Sequence, residues 1–201
     1  GGSEGAVRVL CRTRKQAEAA VELEWLDEVT LDFLEVHGLV EAVALVRGAG
    51  KRVVVATPRV LKPDEERMWR FFLKLGADAL LIRSAGMLQQ LLDLGGTGAK
   101  VGKEGHVIPE LQGDFSLNAA NTISARGLLS EGLGRLTPTH DLDALQLCAL
   151  AEALGPEGAG KLEVIIHQHL PIFHTEHCVF CRFLSDGNNY KDCGHPCETN
   201  T

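Results

Sequence analysis

The sequence predicts an α/β fold of the (β/α)8 TIM-type barrel class, incomplete at one or both ends. Short β-branched runs alternate with amphipathic stretches of helical length seven times, at intervals of roughly 20 to 28 residues. This rhythm is typical of βαβ units and a parallel sheet, and seven units approach the eight of a barrel. The alternative is an open doubly wound sheet, which needs a glycine-rich phosphate turn after its first strand. The residues there, C-R-T-R, form no such turn.

Local start and stop signals support the individual elements. Thr13 is a suitable N-cap for the first helix, Gly48 and Gly50 end the second, and Gly76 follows the third. Pro58 stops the third strand. The predicted strands are 7–11, 29–34, 52–56, 79–83, 111–117, 135–138 and 162–167, and the predicted helices are 14–23, 39–47, 64–75, 87–94, 122–130 and 142–154. The glycine-rich stretch 95–105 is predicted to be a loop, and an open seam is expected in place of a closed ring.

Length and composition predict one substantial core and a separate tail. The chain has 201 residues, 45% of them hydrophobic, which suits a single domain. Residues 1–5 are a glycine-rich lead without an initiator Met, so we expect a linker and further parts of a longer chain as partners. Residues 6–170 are predicted to form the barrel units, and residues 171–201 a cysteine-rich metal or iron–sulfur segment.

Charge and hydropathy exclude some classes of partner. A formal net charge of -7 and an isoelectric point near 5.6 argue against a surface built for broad electrostatic binding of nucleic acid, although a local basic patch is compatible with them. No apolar run reaches membrane-spanning length, and the N-terminus lacks the order of a secretory signal. We therefore expect no membrane partner and a location in the cytoplasm or an organelle stroma.

Polar residues gather after the predicted strands, where the active sites of parallel barrels lie. Arg83 is the strongest candidate, because a guanidinium at a strand end is costly to bury without an anionic partner. These residues define a predicted polar mouth: Arg12, Glu35, His37, Thr57, Arg83, Ser84, Asn118, Asn121, Thr137, Thr139, His140, His167 and His169.

Four of the six cysteines fall in the tail, spaced C-x2-C, eleven residues, then C-x3-C. Cys178, Cys181, Cys193 and Cys197 are predicted to converge as an S4 set that suits zinc or an iron–sulfur cluster, with two disulfides as a third alternative. The tail follows the seventh strand, so the thiolates are expected at the same mouth. Cys11 and Cys148 lie in apolar segments, and the prediction for both is a buried, inert thiol.

Several motifs in the second half of the chain carry a resemblance. Residues 113–118, G-D-F-S-L-N, are similar to G-D-[YF]-S-L-N after a barrel strand, and 135–138 read R-L-T-P. Residues 163–167, E-V-I-I-H, look like the strand E-V-x-V-H, and the C-terminal cysteines resemble N-R-x-x-C-x-x-P-C. Together they resemble the U-32 peptidase family, the collagenase-like peptidases. The usual glycine and cysteine after the His are replaced by Gln168 and Pro171, and Cys181 supplies the missing thiol.

The resemblance implies a TIM-type barrel and one of two activities. The family name implies a peptidase, whereas other members resemble oxygen-independent hydroxylation factors that carry a four-iron, four-sulfur cluster and act on RNA bases or a quinone-precursor ring. The chain has no G-x-S-x-G, no H-E-x-x-H and no paired-Asp motif, which favours the hydroxylase.

Under that hypothesis the four tail cysteines bind the cluster, and an RNA base or small aromatic substrate is held by Arg83, Asn118, Asn121 and His167, with His167 as the proton donor. The alternative hypotheses are a peptidase and a non-catalytic module that a zinc ion stabilises, in which His177 or His195 could replace a cysteine as a ligand.

Overall fold

The computed structural model describes residues 5–33, 36, 38–62, 65, 67–171, 174, 178–187 and 192–200. The chain divides into two compact units, Gly1–Ile165 and Ile166–Thr201. The predicted linker 1–5 lies outside the described residues except for Gly5. No helix in the described parts of the chain is both long and apolar enough to cross a membrane.

The first unit is built on a six-stranded, fully parallel sheet that curls into a half-barrel. Its order is β1-β2-β3-β4-β7-β8, and every neighbouring pair runs parallel. These strands are β1 (Val9–Cys11), β2 (Glu28–Leu31), β3 (Arg52–Ala56), β4 (Ala79–Ile82), β7 (Glu110–Gly113) and β8 (Arg135–Leu136). This confirms the predicted α/β class with a parallel sheet, as part of a barrel. Among the described residues, β1 and β8 are edges and do not pair with each other.

Helices follow the strands in turn. In the first unit they are α1 (Arg14–Val21), α2 (Leu39–Gly48), α3 (Arg67–Lys74), α4 (Ala85–Asp93), α5 (Thr122–Ser130) and α6 (Ala144–Ala159). Polar caps fix where several of them begin. Thr13 and Gln16 form a capping box at α1, as the sequence predicts for Thr13, and Asp143 and Gln146 do the same at α6. The Ser84 hydroxyl accepts a hydrogen bond from the backbone N–H of Met87 at the start of α4.

The predicted strand 111–117 is too long. Strand β7 ends at Gly113, because the Asp114 side chain accepts a hydrogen bond from the Ser116 amide and starts a 3-10 helix, Phe115–Leu117. Leu117 is therefore not a strand residue. Gly113 itself has no room for a side chain, since a Cβ there would lie 2.6 Å from Leu136 Cδ1.

Two other predicted elements differ at their edges. The seventh strand, 162–167, is reduced to a single parallel bridge between Leu136 and Leu162, because the chain leaves the sheet edge after that residue. The stretch 95–105 is not only a loop, since β5 (Lys100–Val101) pairs antiparallel with β6 (His106–Val107) in a short hairpin. Its tight turns use left-handed glycines, Gly102 and Gly105 among them.

The two faces of the sheet carry different kinds of side chain. Alternate strand residues such as Val29, Val53 and Leu80 are fully buried in the core that the helices cover. The residues between them point to the concave face, where a small apolar layer of Val54, Ala79 and Leu81 lies between two polar ends. The carboxyl end of this face carries the predicted mouth, and the amino end carries a charged layer.

The charged layer is centred on Glu28 of β2. Its carboxylate lies 3.0 Å from Arg8 Nε, 3.1 Å from Arg52 Nε and 2.5 Å from Arg135 Nη1, and it is almost fully buried. Strands β2 and β8 are separated by three other strands, so the bond to Arg135 crosses the concave face. It can form only because the sheet curls.

Two more glutamates complete the layer. Glu163 lies 3.0 Å from Arg135 Nη1 and 3.4 Å from Arg8 Nη1. It therefore connects β8, which carries Arg135, with the residue before β1. Glu110 lies 2.7 Å from Arg52 Nη2. Burial opposes the charge of Arg135, but its hydrogen bond with Glu28 and the charges of all three glutamates raise its pKa.

The variant Glu28→Gln tests this layer. It removes one buried charge and leaves three arginines facing two carboxylates, so the free energy of unfolding should fall by about 3 kcal/mol in urea titrations. The matched control is Glu18→Gln, which breaks an exposed pair with Arg14 on α1 and should cost less than about 0.5 kcal/mol. Equal losses in the two variants would show that Glu28 does not hold the curled sheet.

Candidate functional site at the carboxyl ends of the strands

A buried Arg83–Asp32 pair forms the centre of the mouth. Asp32 follows β2 and Arg83 follows β4, and the two side chains are 8% and 9% exposed. Arg83 Nη1 and Nη2 donate to the two oxygens of Asp32 at 2.6 and 2.7 Å, a bidentate geometry. The Arg83 backbone N–H also donates to the Thr57 hydroxyl at 3.2 Å, which fixes the start of the β4–α4 connection.

Asp114 adds a second carboxylate beside the same guanidinium. Its Oδ2 lies 3.5 Å from Arg83 Nε, and the residue is 3% exposed. The Ser116 hydroxyl lies 2.8 Å from that oxygen and 2.9 Å from the Arg83 carbonyl oxygen. The turn after β7 is thereby tied to the end of β4, so the two strand ends cannot move independently.

Two further arginines and two rings line the mouth. Arg12, after β1, lies 3.4 Å from Asp32 Oδ2 through its Nε and is half exposed. The Arg59 guanidinium lies over the Phe115 ring at 5.1 Å from the centroid, and the His140 ring lies 4.6 Å from the same ring. Burial and the charge of Arg83 lower the pKa of Arg59, against the opposing effect of Asp114 and Asp32. The mouth therefore holds three guanidiniums and two carboxylates.

The predicted substrate residues have different structural positions. Arg83 is central, and the anionic partner predicted for it is Asp32 of the same chain. Asn118 is exposed and ends the 3-10 helix in a left-handed conformation, with φ 57°. The Asn121 side chain caps α5 by accepting the Ser124 amide at 3.0 Å, which explains it structurally. His167 is exposed and belongs to the second unit. Their roles toward a substrate stay predictions.

Other predicted mouth residues have mixed outcomes. Thr57, Thr137 and Thr139 are buried polar residues, and Glu35 and His37 lie outside the described residues. Asp32, Asp114 and Arg59 were not predicted from the sequence. Asp32 has a detectable signal, because Asp32, directly after β2, continues the period of two that places Glu28 and Thr30 on one face of that strand. Arg59 lies in the β3–α3 connection, where no periodicity operates.

The cysteine segment lies in the second unit and contains helix α7 (Val179–Leu184). Cys178 is its N-cap, and its Sγ accepts a hydrogen bond from the Cys181 amide at 3.3 Å. A 3-10 helix, Pro196–Glu198, carries Cys197 and packs against α7. No disulfide links any of the six cysteines, all of which the structure describes. The tail therefore places Cys197 on an element that contacts the helix of Cys178 and Cys181.

Two neighbouring thiols act on the Cys181 thiol. Partial burial and the nearby thiols of Cys193 and Cys178 raise the pKa of Cys181, while a hydrogen bond with Ser185 lowers it. In the described parts of the chain no three or more His, Cys, Asp or Glu side chains have the arrangement of a metal site. The predicted convergence of all four cysteines is thus not confirmed and stays a prediction, and His177 lies outside the described residues.

The two remaining cysteines differ from each other. Cys11 is fully buried, as predicted, and burial raises its pKa to about 11. The prediction for Cys148 is wrong, because this residue is exposed on α6. Leu150, the buried residue of α6, is two positions further along, and two residues turn a helix by roughly 200°. Cys148 therefore faces away from the core.

The architecture of the first unit defines a class of fold. A curled parallel sheet flanked by helices, with polar side chains at the carboxyl ends of its strands, is the architecture of barrel-type α/β proteins. Protein-family models give no match to the chain, and a search of curated proteins gives none either.

The U32 peptidase Mk0906 is a solved structure of similar fold. It superposes with a TM-score of 0.58 over 82% of this chain and 70% of its own, at 12% sequence identity. At that identity the likeness concerns the fold, and it confirms at this level the resemblance seen in the sequence.

Alkylation of the thiols tests the coupling in the cysteine segment. In the metal-free, reduced chain, the raised pKa of Cys181 leaves less thiolate at pH 8, so its reaction with iodoacetamide should be slow. Cys193→Ala removes one cause of the raised pKa, so the pH midpoint of the Cys181 reaction should move down and its rate at pH 8 should rise a few-fold.

Peptide mapping by mass spectrometry measures each rate separately. Cys148→Ala is the control and should leave the Cys181 profile unchanged, and Cys11 should stay unreactive while the chain is folded. A Cys181 midpoint that does not move in Cys193→Ala would contradict the proximity of the two thiols.

Proposed function

We propose that the chain is an iron–sulfur enzyme that hydroxylates an aromatic ring, either free or as an RNA base. The observation that carries this proposal is the nearness of the Cys178 and Cys193 thiols to Cys181, together with the hydrogen bond that the Cys181 amide donates to Cys178 Sγ. A thiol whose pKa is raised by its neighbours is unfavourable as a bare thiolate, and bound iron would reverse that effect by stabilising the thiolate form.

The donor chemistry fits a cluster. Cys178, Cys181, Cys193 and Cys197 would hold it as four thiolates, and hydrogen bonds to the sulfurs, such as the one from the Cys181 amide, tune reduction potentials. A four-iron, four-sulfur cluster would supply one-electron chemistry when bound. The alternative cofactor is zinc, which the same thiols could bind without redox chemistry.

The mouth would serve as the substrate side. Arg83 is held rigidly by Asp32 and by the Thr57 hydroxyl, which suits a residue that positions a ligand. Asn118 is exposed, and its side chain has no hydrogen-bonding role among the described residues. His167 is proposed as a proton donor, and Asn121 contributes through the placement of α5.

A peptidase is the second candidate, favoured by the likeness in fold to the U32 peptidase Mk0906. Peptide hydrolysis needs a nucleophile with a base in reach, or a metal with an open water position. In the mouth, as far as its residues are described, no hydroxyl is hydrogen-bonded to a histidine. This lack of an activated pair makes the iron–sulfur hypothesis the better supported one. A zinc-stapled, non-catalytic module is the third possibility.

Anaerobic purification with iron and sulfide analysis is the deciding experiment. The expected result is about four iron and four sulfide per chain with the broad visible absorption of a cluster. Cys193→Ala should lose the iron and the colour, because a ligand is removed, whereas Cys148→Ala removes an exposed thiol on α6 and should retain both.

A colourless chain with one equivalent of zinc would overturn the proposal in favour of the structural module. Peptide cleavage that persists when Cys193 and Cys197 are both replaced by Ala would instead support the peptidase, since that activity would not depend on the cluster.

A further inference from the structure

Arg59 is a partly buried cation whose pKa is lowered, on balance, by burial and by the neighbouring arginines, although Asp114 and Asp32 raise it. Among the described residues it has no ion pair and no side-chain hydrogen bond, and its contact is with the face of Phe115. Burial is the largest cause that lowers the pKa of Arg59, and the charge of Arg83 is the second. A guanidinium in this environment is stabilised by an anion, which would restore the interactions that burial removes.

The charges of the mouth do not cancel, because three arginines lie near only two carboxylates, those of Asp32 and Asp114. Arg83 is committed to Asp32 through both terminal nitrogens, and its buried Nε has no hydrogen-bond partner in the described structure. Arg12 reaches Asp32 only at 3.4 Å and is largely exposed, so its guanidinium can turn to another anion. The group formed by three guanidiniums, of Arg12, Arg59 and Arg83, and by the two carboxylates of Asp32 and Asp114 therefore carries an excess of one positive charge.

The rings beside Arg59 point to the shape of the ligand. Phe115 is buried, the Arg59 guanidinium lies over its ring, and the centroid of the His140 ring lies 4.6 Å from the centroid of the Phe115 ring. His140 Nδ1 is buried and also lacks a hydrogen-bond partner among the described residues. A buried polar atom without a partner is costly, so a ligand atom that hydrogen-bonds to it would be favoured. A planar ring can stack in this environment of flat side chains.

We propose that Arg59, with Arg12 and Phe115, binds a small planar aromatic compound that carries one carboxylate or phosphate group. This inference rests on the proposed function and names the substrate class of its mouth. A single anionic group matches the excess of one positive charge, whereas RNA presents many phosphates to a chain whose net charge is -7. A free small molecule is therefore the better fit.

Binding of simple probes to the full chain tests the proposal. Benzoate and phenyl phosphate are titrated by ligand-observed NMR, with cyclohexanecarboxylate as the non-aromatic anion. At least one aromatic anion should bind, Arg59→Met should weaken it about tenfold or more, and cyclohexanecarboxylate should bind several-fold less tightly. The relative affinity of benzoate and phenyl phosphate shows which anionic group the mouth accepts.

Two further variants keep the result interpretable. Arg59→Lys keeps the charge but loses the planar group, so its binding should be intermediate, and it also covers the case that Arg59→Met does not fold. Arg14→Met removes an exposed arginine on α1 and should change nothing. Absent binding of both aromatic anions, or equal binding by Arg59→Met, would overturn the proposal. So would Arg59-dependent binding of a short single-stranded RNA that is tighter than that of either small anion.

The iron content separates this inference from the proposed function. Probe binding depends on the mouth in the first unit, so it should persist in Cys193→Ala, where iron is lost. A chain that binds iron but not the aromatic anions refutes only the ligand class, and a chain that binds the anions without iron refutes only the cluster.

Discussion

The buried carboxylate of Glu28 cross-links the curled sheet from its concave face. Parallel strands twist spontaneously, but twist alone does not bring β2 opposite β8 across three intervening strands. Glu28 contacts arginines before β1, on β3 and on β8, and Arg8 in turn reaches Glu163 at the far side. The layer therefore acts as a set of cross-links inside the half-barrel. Its charges are stable there because each has a partner at hydrogen-bonding distance.

The same curl determines the geometry of the mouth. Asp32, directly after β2, follows Glu28 by four residues, and Asp114, directly after β7, follows Glu110 in the same way, so each pair continues the alternation of one strand face. Strands held in register at their amino ends deliver Asp32, Arg83 and Asp114 to one place at their carboxyl ends. The candidate site is thus a product of strand register more than of loop conformation, except at Arg59.

The sequence predicted the parallel α/β class because local periodicity and capping decide it. Helix α5 begins and ends where the pattern places it, since Asn121 and Ser124 form a capping box. The errors arose where tertiary contacts decide. Leu117 was predicted in a strand but lies in a 3-10 helix, because the Asp114 side chain caps a turn there. Cys148 was predicted to be buried but is exposed, because α6 packs on the core through Leu150. Arg83 was recognised as a candidate, but its pairing with Asp32 depends on two strands 51 residues apart and carried no local signal.

The small apolar layer of Val54, Ala79 and Leu81 has a consequence for how this fold can diversify. It separates the charged layer, which contains Glu28, from the mouth, which contains Asp32. These two residues are four positions apart, or roughly 13 Å along the strand direction. Pairs at about 3 Å within each end interact far more strongly than charges across that insulating gap. The mouth can therefore exchange its charged residues without loosening the cross-links beneath it. One half-barrel could in this way acquire different ligand preferences while its stability changes little.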